Sequence, residues 1–353
     1  MTDIKLHPYI HLQLQHTVFD VKWMPHSAKF LTFGIMPNGR GSVEVYEMTD
    51  GCASKVHEIP HAKGVKNGSF GTSSHIQRDL TTGDFEGKLR IWDLEKPDKP
   101  VYTANAHTSI INSIDAIGGC SESAGPPSIA TGSKDGSVKI WDTRTTEPIA
   151  IMQPLPDQIR RDCWTVGFGN SYDTGGRHVC AGYENGEIKL FDLRNLKVSW
   201  ETNIKYGVCS LEFDRRDIYM NKLVATSVDS QIHVFDMRTF HPKKGYAQLC
   251  HRDKHRSTVW AVKHLPQDKD VFMTANGSGF LMLWRYNYPE KRTRDNSGGG
   301  AEGVTGSLSL LEETKLTTHP MVNLDWNCHM KGLFVTCSLD QNVYVRFATG
   351  LAD

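Results

Sequence analysis

A short strand-like run closing on an aromatic recurs along the chain, as VEVYE (43–47), LRIWD (89–93), VKIWD (138–142), IKLFD (188–192), IHVFD (232–236) and LMLWR (281–285). Its aromatics, Tyr46, Trp92, Trp141, Phe191, Phe235 and Trp284, stand 44 to 50 residues apart, and VYVR (343–346) is a seventh, degenerate copy. A period of this length is the mark of a repeat architecture in which each unit buries its apolar face against the next. Each copy sits in a longer phrase: an apolar strand, a small-residue strand such as IATGS or LVATS, a tight turn, then the aromatic-ending strand. Four short strands per unit make a blade, and seven units in 353 residues make an all-β, seven-bladed propeller.

The turn before the aromatic-ending strand carries polar side chains. Six residues before the aromatic position stand Glu86, Asp135, Asp229 and Asp340, with Asn185 as a neutral counterpart. A carboxylate there accepts hydrogen bonds from turn amides and from a histidine leading into the blade. The third repeat holds the whole set, His107, Ser133, Asp135 and Trp141, and resembles the buried tetrad of WD repeats. In the first and sixth repeats Arg40 and Ser278 take the carboxylate position, so those blades are expected to rely on packing alone.

A ring of blades needs closure, because an open end would leave an unpaired sheet edge. Residues Tyr9 to Leu14 alternate apolar and polar and precede the first blade's opening strand, VFDVKW (18–23), so the N-terminal strand is expected to complete the last blade. This predicts one domain over 1–353. The polar, glycine-rich stretch 287–306 reads as a mobile loop inserted between the last two strands of blade six.

Composition narrows the function. With 40 basic and 40 acidic residues the chain has no net attraction for nucleic acid. No run approaches the roughly 20 apolar residues that cross a bilayer, and the N-terminus has no secretory h-region, so neither a membrane nor a secreted location is expected. Eight cysteines without a C-x-x-C pair read as reduced, mostly buried thiols of a cytoplasmic protein. Among 16 histidines only His251 and His255 stand at helical spacing, without a third ligand nearby, so no metal site or other cofactor is expected. P-loop, G-x-S-x-G and H-E-x-x-H motifs are absent, and the recurring Ser, His and Asp residues belong to the repeat turns, so no catalytic residues are assigned.

What remains is surface. Aligning the opening strands places Phe19, Lys66, Asn112, Trp164, Cys209, Trp260 and Val322 just after the first apolar position. Phe19, Trp164 and Trp260 are candidate anchors on a protein-binding rim, the alternative being that their rings pack against neighbouring blades. A second candidate is the W-D-x-R phrase Trp141, Asp142 and Arg144, which resembles the signature of substrate receptors of cullin-type ubiquitin ligases; a solvent-facing turn explains the same residues.

Longer segments are more specific than the W-D dipeptides. TVFDVKWMPHSAKF (17–30), RDCWTVGFGN (161–170), AGYENGEIKLFDLRN (181–195), WETNIKYGVCSLEFDRRDIYMNKLVATS (200–227), HVFDMRTFHPKKG (233–245) and STVWAVKHLPQ (257–267) together resemble the Monad-type WD-repeat family, counted among the axonemal dynein assembly factors. The resemblance implies a non-enzymatic cytoplasmic adaptor, a monomer within a larger complex. It would work with a prefoldin-like and TPR-containing co-chaperone assembly on the folding and preassembly of axonemal dynein heavy chains for motile cilia.

Overall fold

The structure is a computed structural model that describes residues 4–74, 76–118, 127–155, 157–173, 175–295 and 301–351. Seven four-stranded antiparallel sheets follow one another in chain order, together with one two-stranded ribbon. These are the blades of a seven-bladed β-propeller: 17–61, 65–105, 111–152, 163–203, 208–252, 259–315, and 321–349 joined by the N-terminal strand. Strand Lys5–Gln13 pairs antiparallel with Asn342–Thr349, from Lys5 opposite Thr349 to Gln13 opposite Asn342, and so completes the seventh blade. It begins earlier than the alternating run Tyr9–Leu14 suggested, because Leu6 is buried beside Ala348 in the contact between blades six and seven.

The apolar core is divided among the contacts between successive blades. Blades one and two share Leu31, Phe33, Val43, Val65, Leu80 and Trp92; blades seven and one share Ile10, Val18, Trp23, Phe30, Val335 and Val345. Each blade therefore buries both faces, which explains second strands such as Ser128–Ser133 that are buried throughout.

Between the second and third strands the residue after the turn-carboxylate position has positive φ in six blades: Gly87, Gly136, Gly186 and Gly279 near +84°, Ser230 at +60° and Gln341 at +69°. At Gly279 a Cβ would lie 1.9 Å from the Thr317 carbonyl oxygen, so this turn has no room for a side chain.

The first strand of every blade carries a β-bulge at one place, with register shifts at Val18/Asp20, Val65/Asn67, Ile111/Ser113, Cys163/Thr165, Val208/Ser210, Val259/Ala261 and Met321/Asn323. Such a bulge twists the strand and re-aims side chains. Here it lets the next residue reach across to the following blade. Ser113 Oγ accepts the Val166 N–H at 3.1 Å, Thr165 Oγ1 that of Leu211 at 3.2 Å, and Asp20 Oδ2 that of Gly68 at 3.2 Å. Two residues further on, Asp115 accepts the Phe168 N–H and Asp325 that of Trp23, each at 2.8 Å.

The stretch 287–306 departs from the expected mobile loop. Its described part leaves blade six after Asn287, forms the ribbon Thr293–Asp295 with Ala301–Gly303, and rests on blade five. Arg292 Nε donates to Asp236 at 2.7 Å and its Nη1 to Asn221 at 2.8 Å, while Lys244 pairs with Glu302 at 2.7 Å. Beneath it Lys222 is fully buried beside Asp214 and Asp270; its ammonium donates to the Lys269 carbonyl at 2.5 Å and to the Tyr288 hydroxyl at 3.3 Å. Burial pushes the Lys222 pKa down, against the pull of both aspartates.

The expectation of mostly buried thiols also needs correction. Cys163, Cys180 and Cys337 are buried, Cys209 is half-buried, Cys52, Cys250 and Cys328 are exposed, and Cys120 lies outside the described residues.

Candidate protein-binding rim

The first strand of each blade begins on one face of the ring, here called the leading face, which also carries the blade-to-blade links and the turn of Asp135. The trailing face carries the turns between first and second and between third and fourth strands, including Asp142 and Arg144.

The third-blade network is a buried polar path, with one substitution in its expected membership. His107 Nδ1 meets Asp135 at 3.0 Å, its Nε2 meets Thr131 Oγ1 at 2.8 Å, and Trp141 Nε1 donates to the same hydroxyl at 2.9 Å. Thr131, not Ser133, thus bridges the histidine and the tryptophan. Ser133 instead caps the turn, its Oγ accepting the Asp135 N–H at 3.1 Å. Burial alone would raise the Asp135 pKa, but hydrogen bonds from His107 and Ser137 hold it well below the usual carboxylate range; burial keeps His107 below its ordinary value despite Asp135.

Elsewhere the carboxylate moves. In blade two Glu86 is solvent-exposed and pairs with Lys63 and Lys88, while Asp84 accepts the N–H groups of Glu86 and Lys88 at 2.9 Å and Arg90 at 2.6 Å. In blade six, expected to rely on packing alone, Asn276 Oδ1 accepts the N–H groups of Ser278 and Phe280, and its amide donates to buried Asp253 at 2.8 Å. Asp229 pairs with Arg252 at 2.6 Å, and Asp340 accepts from Thr317 at 2.6 Å.

The seven aligned rim residues are the seven bulged residues, one per blade, on the leading face. Lys66 Nζ donates to Asn112 Oδ1 at 2.7 Å, and Asn112 donates to the Cys163 carbonyl at 3.0 Å. Phe19 is half-buried, its ring 5.7 Å from Phe85. Trp164 is half-buried with its six-membered ring against Gly207, where a Cβ would approach within 2.7 Å. Trp260 is 38% exposed and leans toward Gly277. Phe19 and Trp164 therefore combine intramolecular packing with an open edge, while Trp260 is the most accessible of the three.

Further apolar residues on this face escape the repeat alignment. Leu155 and Ile159, in the link PLPDQIRR, are 62% and 73% exposed; Tyr206, preceding the Gly207 under Trp164, is 42% exposed; Leu339 is 38% exposed. Leucine and isoleucine in an otherwise polar, proline-containing link were the available signal.

On the trailing face Trp141 is 1% exposed and unable to touch a partner. Arg144 is 72% exposed at its side chain, but its guanidinium folds onto its own Asp142, with Nε 2.9 Å from Oδ1. Among the described residues no group of His, Cys, Asp and Glu is arranged to hold a metal ion.

Seven four-stranded blades with an aromatic-ending third strand and a histidine–hydroxyl–tryptophan path define a WD-repeat β-propeller. Residues 98–142 match the profile of the WD domain, G-beta repeat, and residues 121–285 that of the nucleolar protein 10-like N-terminal domain. The chain is 54% identical to dynein axonemal assembly factor 10 of Xenopus laevis and 53% identical to that of Homo sapiens, over 97% of this chain and 96% of either relative. It is 43% identical to the Chlamydomonas reinhardtii protein of the same name over the same shares. The chain belongs to the dynein axonemal assembly factor 10 family.

Proposed function

We propose that this chain is a non-catalytic cytoplasmic adaptor in the preassembly of axonemal dynein. Its leading face would hold a prefoldin-like and TPR-containing co-chaperone assembly or a dynein heavy chain. Near-full-length identity to proteins named for axonemal dynein assembly supports the pathway. The observation that carries the surface is the bulge ring, which sets Phe19, Trp164 and Trp260 on a frame tied blade to blade by hydrogen bonds. A surface held this rigidly loses little conformational entropy on binding. The shifted carboxylates of the ring support a scaffold rather than a catalyst, because they are occupied in structural ties. Burial would raise Glu212, yet Lys263 at 2.8 Å and His264 hold it down to about 2 while it accepts the His264 N–H.

The test is purification of the tagged protein from ciliated cells with quantitative mass spectrometry, alongside Trp164→Ala/Trp260→Ala. Co-chaperones and dynein heavy chains should co-purify and be lost in the double variant. Recovery of cullin-ligase subunits instead, abolished by Arg144→Ala, would favour the receptor reading that the exposure of Arg144 leaves in play.

A further inference from the structure

A formally neutral chain has gathered cations at one corner of its trailing face. Three turns meet there: the last turn of blade four with Arg194 and Lys197, the first turn of blade five with Tyr219, and the hairpin of blade five with Arg238, Phe240 and Lys243. The two blades are locked at this point by aromatic contacts. Trp200 meets Tyr246 edge-on at 5.1 Å, Tyr246 meets Phe240 at 5.3 Å, and Gly245 lies against the Trp200 indole nitrogen with no room for a Cβ.

The acidic side chains of this corner are already engaged. Asp217 pairs with Arg215, Glu302 with Lys244 and buried Asp236 with Arg292, while Asp192 accepts the Arg194 N–H and the Asn195 amide. Arg194, Lys197, Arg238 and Lys243 are exposed and form no ion pair among the described residues. Arg238 is also pre-oriented. Its guanidinium lies 4.3 Å over the Tyr219 ring and Nη2 donates to the Tyr219 carbonyl at 3.2 Å, which leaves the rest of its planar fork facing solvent. Tyr219 is 49% and Phe240 51% exposed, and aliphatic Leu196 and Val198 are exposed on the blade-four side.

We propose that this corner is a second docking site, which takes an acidic, extended protein segment carrying apolar side chains among its carboxylates. Carboxylates match the Arg238 fork and the neighbouring ammonium groups, and apolar side chains match Phe240, Leu196 and Val198. The aliphatic component and the zero net charge of the chain favour an acidic peptide over a nucleic-acid backbone, which needs mainly phosphate neutralisation. With the bulge ring on the opposite face, the adaptor would hold two partners at once.

The experiment is fluorescence anisotropy on the full chain with a fluorescein-labelled peptide of about twelve residues in which Asp and Glu alternate with Leu. The same peptide with Asn and Gln, and an oligothymidine of equal charge, serve as comparisons. Saturable binding of the acidic peptide is expected, weakening with added salt. Arg238→Glu/Lys243→Glu and, separately, Arg194→Glu/Lys197→Glu should each weaken it about tenfold or more at an unchanged melting temperature. Equal binding of the amide peptide, undiminished binding in both charge-reversal variants, or tighter binding of oligothymidine would overturn the proposal. Loss of binding in Trp164→Ala/Trp260→Ala alone would overturn it too, by moving the peptide to the leading face. These outcomes leave the adaptor reading standing, since that rests on the leading face and is tested by co-purification.

Discussion

In blade three a single hydroxyl, Thr131, stands between His107 and Trp141 and is bonded to both. In blade one the corresponding hydroxyl, Thr32 opposite Glu44, is buried and has no partner among the described residues; nor do Ser42 Oγ and His16 Nε2 nearby. The difference begins with one residue. Trp141 brings an indole N–H to the hydroxyl, while Tyr46, in the same place in blade one, turns its hydroxyl to Glu44 at 2.5 Å. The pattern extends around the ring. Trp92 and Trp284 donate to Thr82 and Thr274 at 2.9 and 3.0 Å, whereas Phe191 and Phe235, which have no N–H, accompany Ala181 and Ala225 at the hydroxyl position. Tryptophan is thus accompanied by threonine in every blade that has it, while blades one and seven keep the threonine, Thr32 and Thr336, without the tryptophan. A satisfied buried network favours a unique arrangement, whereas an unmet buried group costs free energy.

The largest expected effect follows from that contrast. Thr131→Val removes the partner of two buried nitrogens and should destabilise by about 3 kcal/mol, each orphaned group costing roughly 1–3 kcal/mol. Thr32→Val removes a hydroxyl that has no partner at nearly constant volume and should be neutral or stabilise by up to about 1 kcal/mol. Urea titrations with unchanged m-values measure both, and equal losses would break the comparison.

Histidines sharpen it through pH. Burial lowers His233 in blade five and His61 in blade two to about 4, below the ordinary 6.5 expected of the unfolded chain. The unfolded state therefore takes up the proton first, so this stability is present above about pH 6.5 and is lost as pH falls toward 4. By pH 5 each should cost on the order of 2 kcal/mol. His233→Gln should flatten the decline in melting temperature between pH 7 and 5, and an unchanged slope would show that His233 does not contribute.

A comparable loss is expected at the turn. Asp135→Ala should cost about 1–3 kcal/mol by orphaning His107 and the turn amides, while Arg40→Ala at the matching place in blade one should stay within about 0.5 kcal/mol. The smallest effect falls on the rim: Trp164→Ala/Trp260→Ala should leave the melt cooperative while partner capture is lost. A collapsed melt would show instead that these rings are core.

The limits of reading the chain alone show in particular residues. The aromatic repeat was legible because Tyr46, Trp92, Trp141, Phe191, Phe235 and Trp284 each close a strand that must bury both faces. The Thr131–Trp141 bond was legible in principle, since Thr accompanies Trp and Ala accompanies Phe in the same phrase, but only strand register shows which small residue faces the indole. Asp84 displaced Glu86 because two carboxylates two residues apart look equivalent in a string, and only the direction of the turn decides which one meets the amides. Asp253 was invisible as the partner of Asn276, being 23 residues away in the chain.

By itself the sequence determined the number of blades, the strand that closes the ring, and the position in each opening strand where the bulge falls, because these depend on periodicity and alternation, which are local. The tertiary structure decided which hydroxyl bridges which histidine, how far Trp164 and Trp260 are covered, where the described part of 287–306 comes to rest, and that Arg238 lies over Tyr219. These depend on neighbours that only closure of the ring brings together.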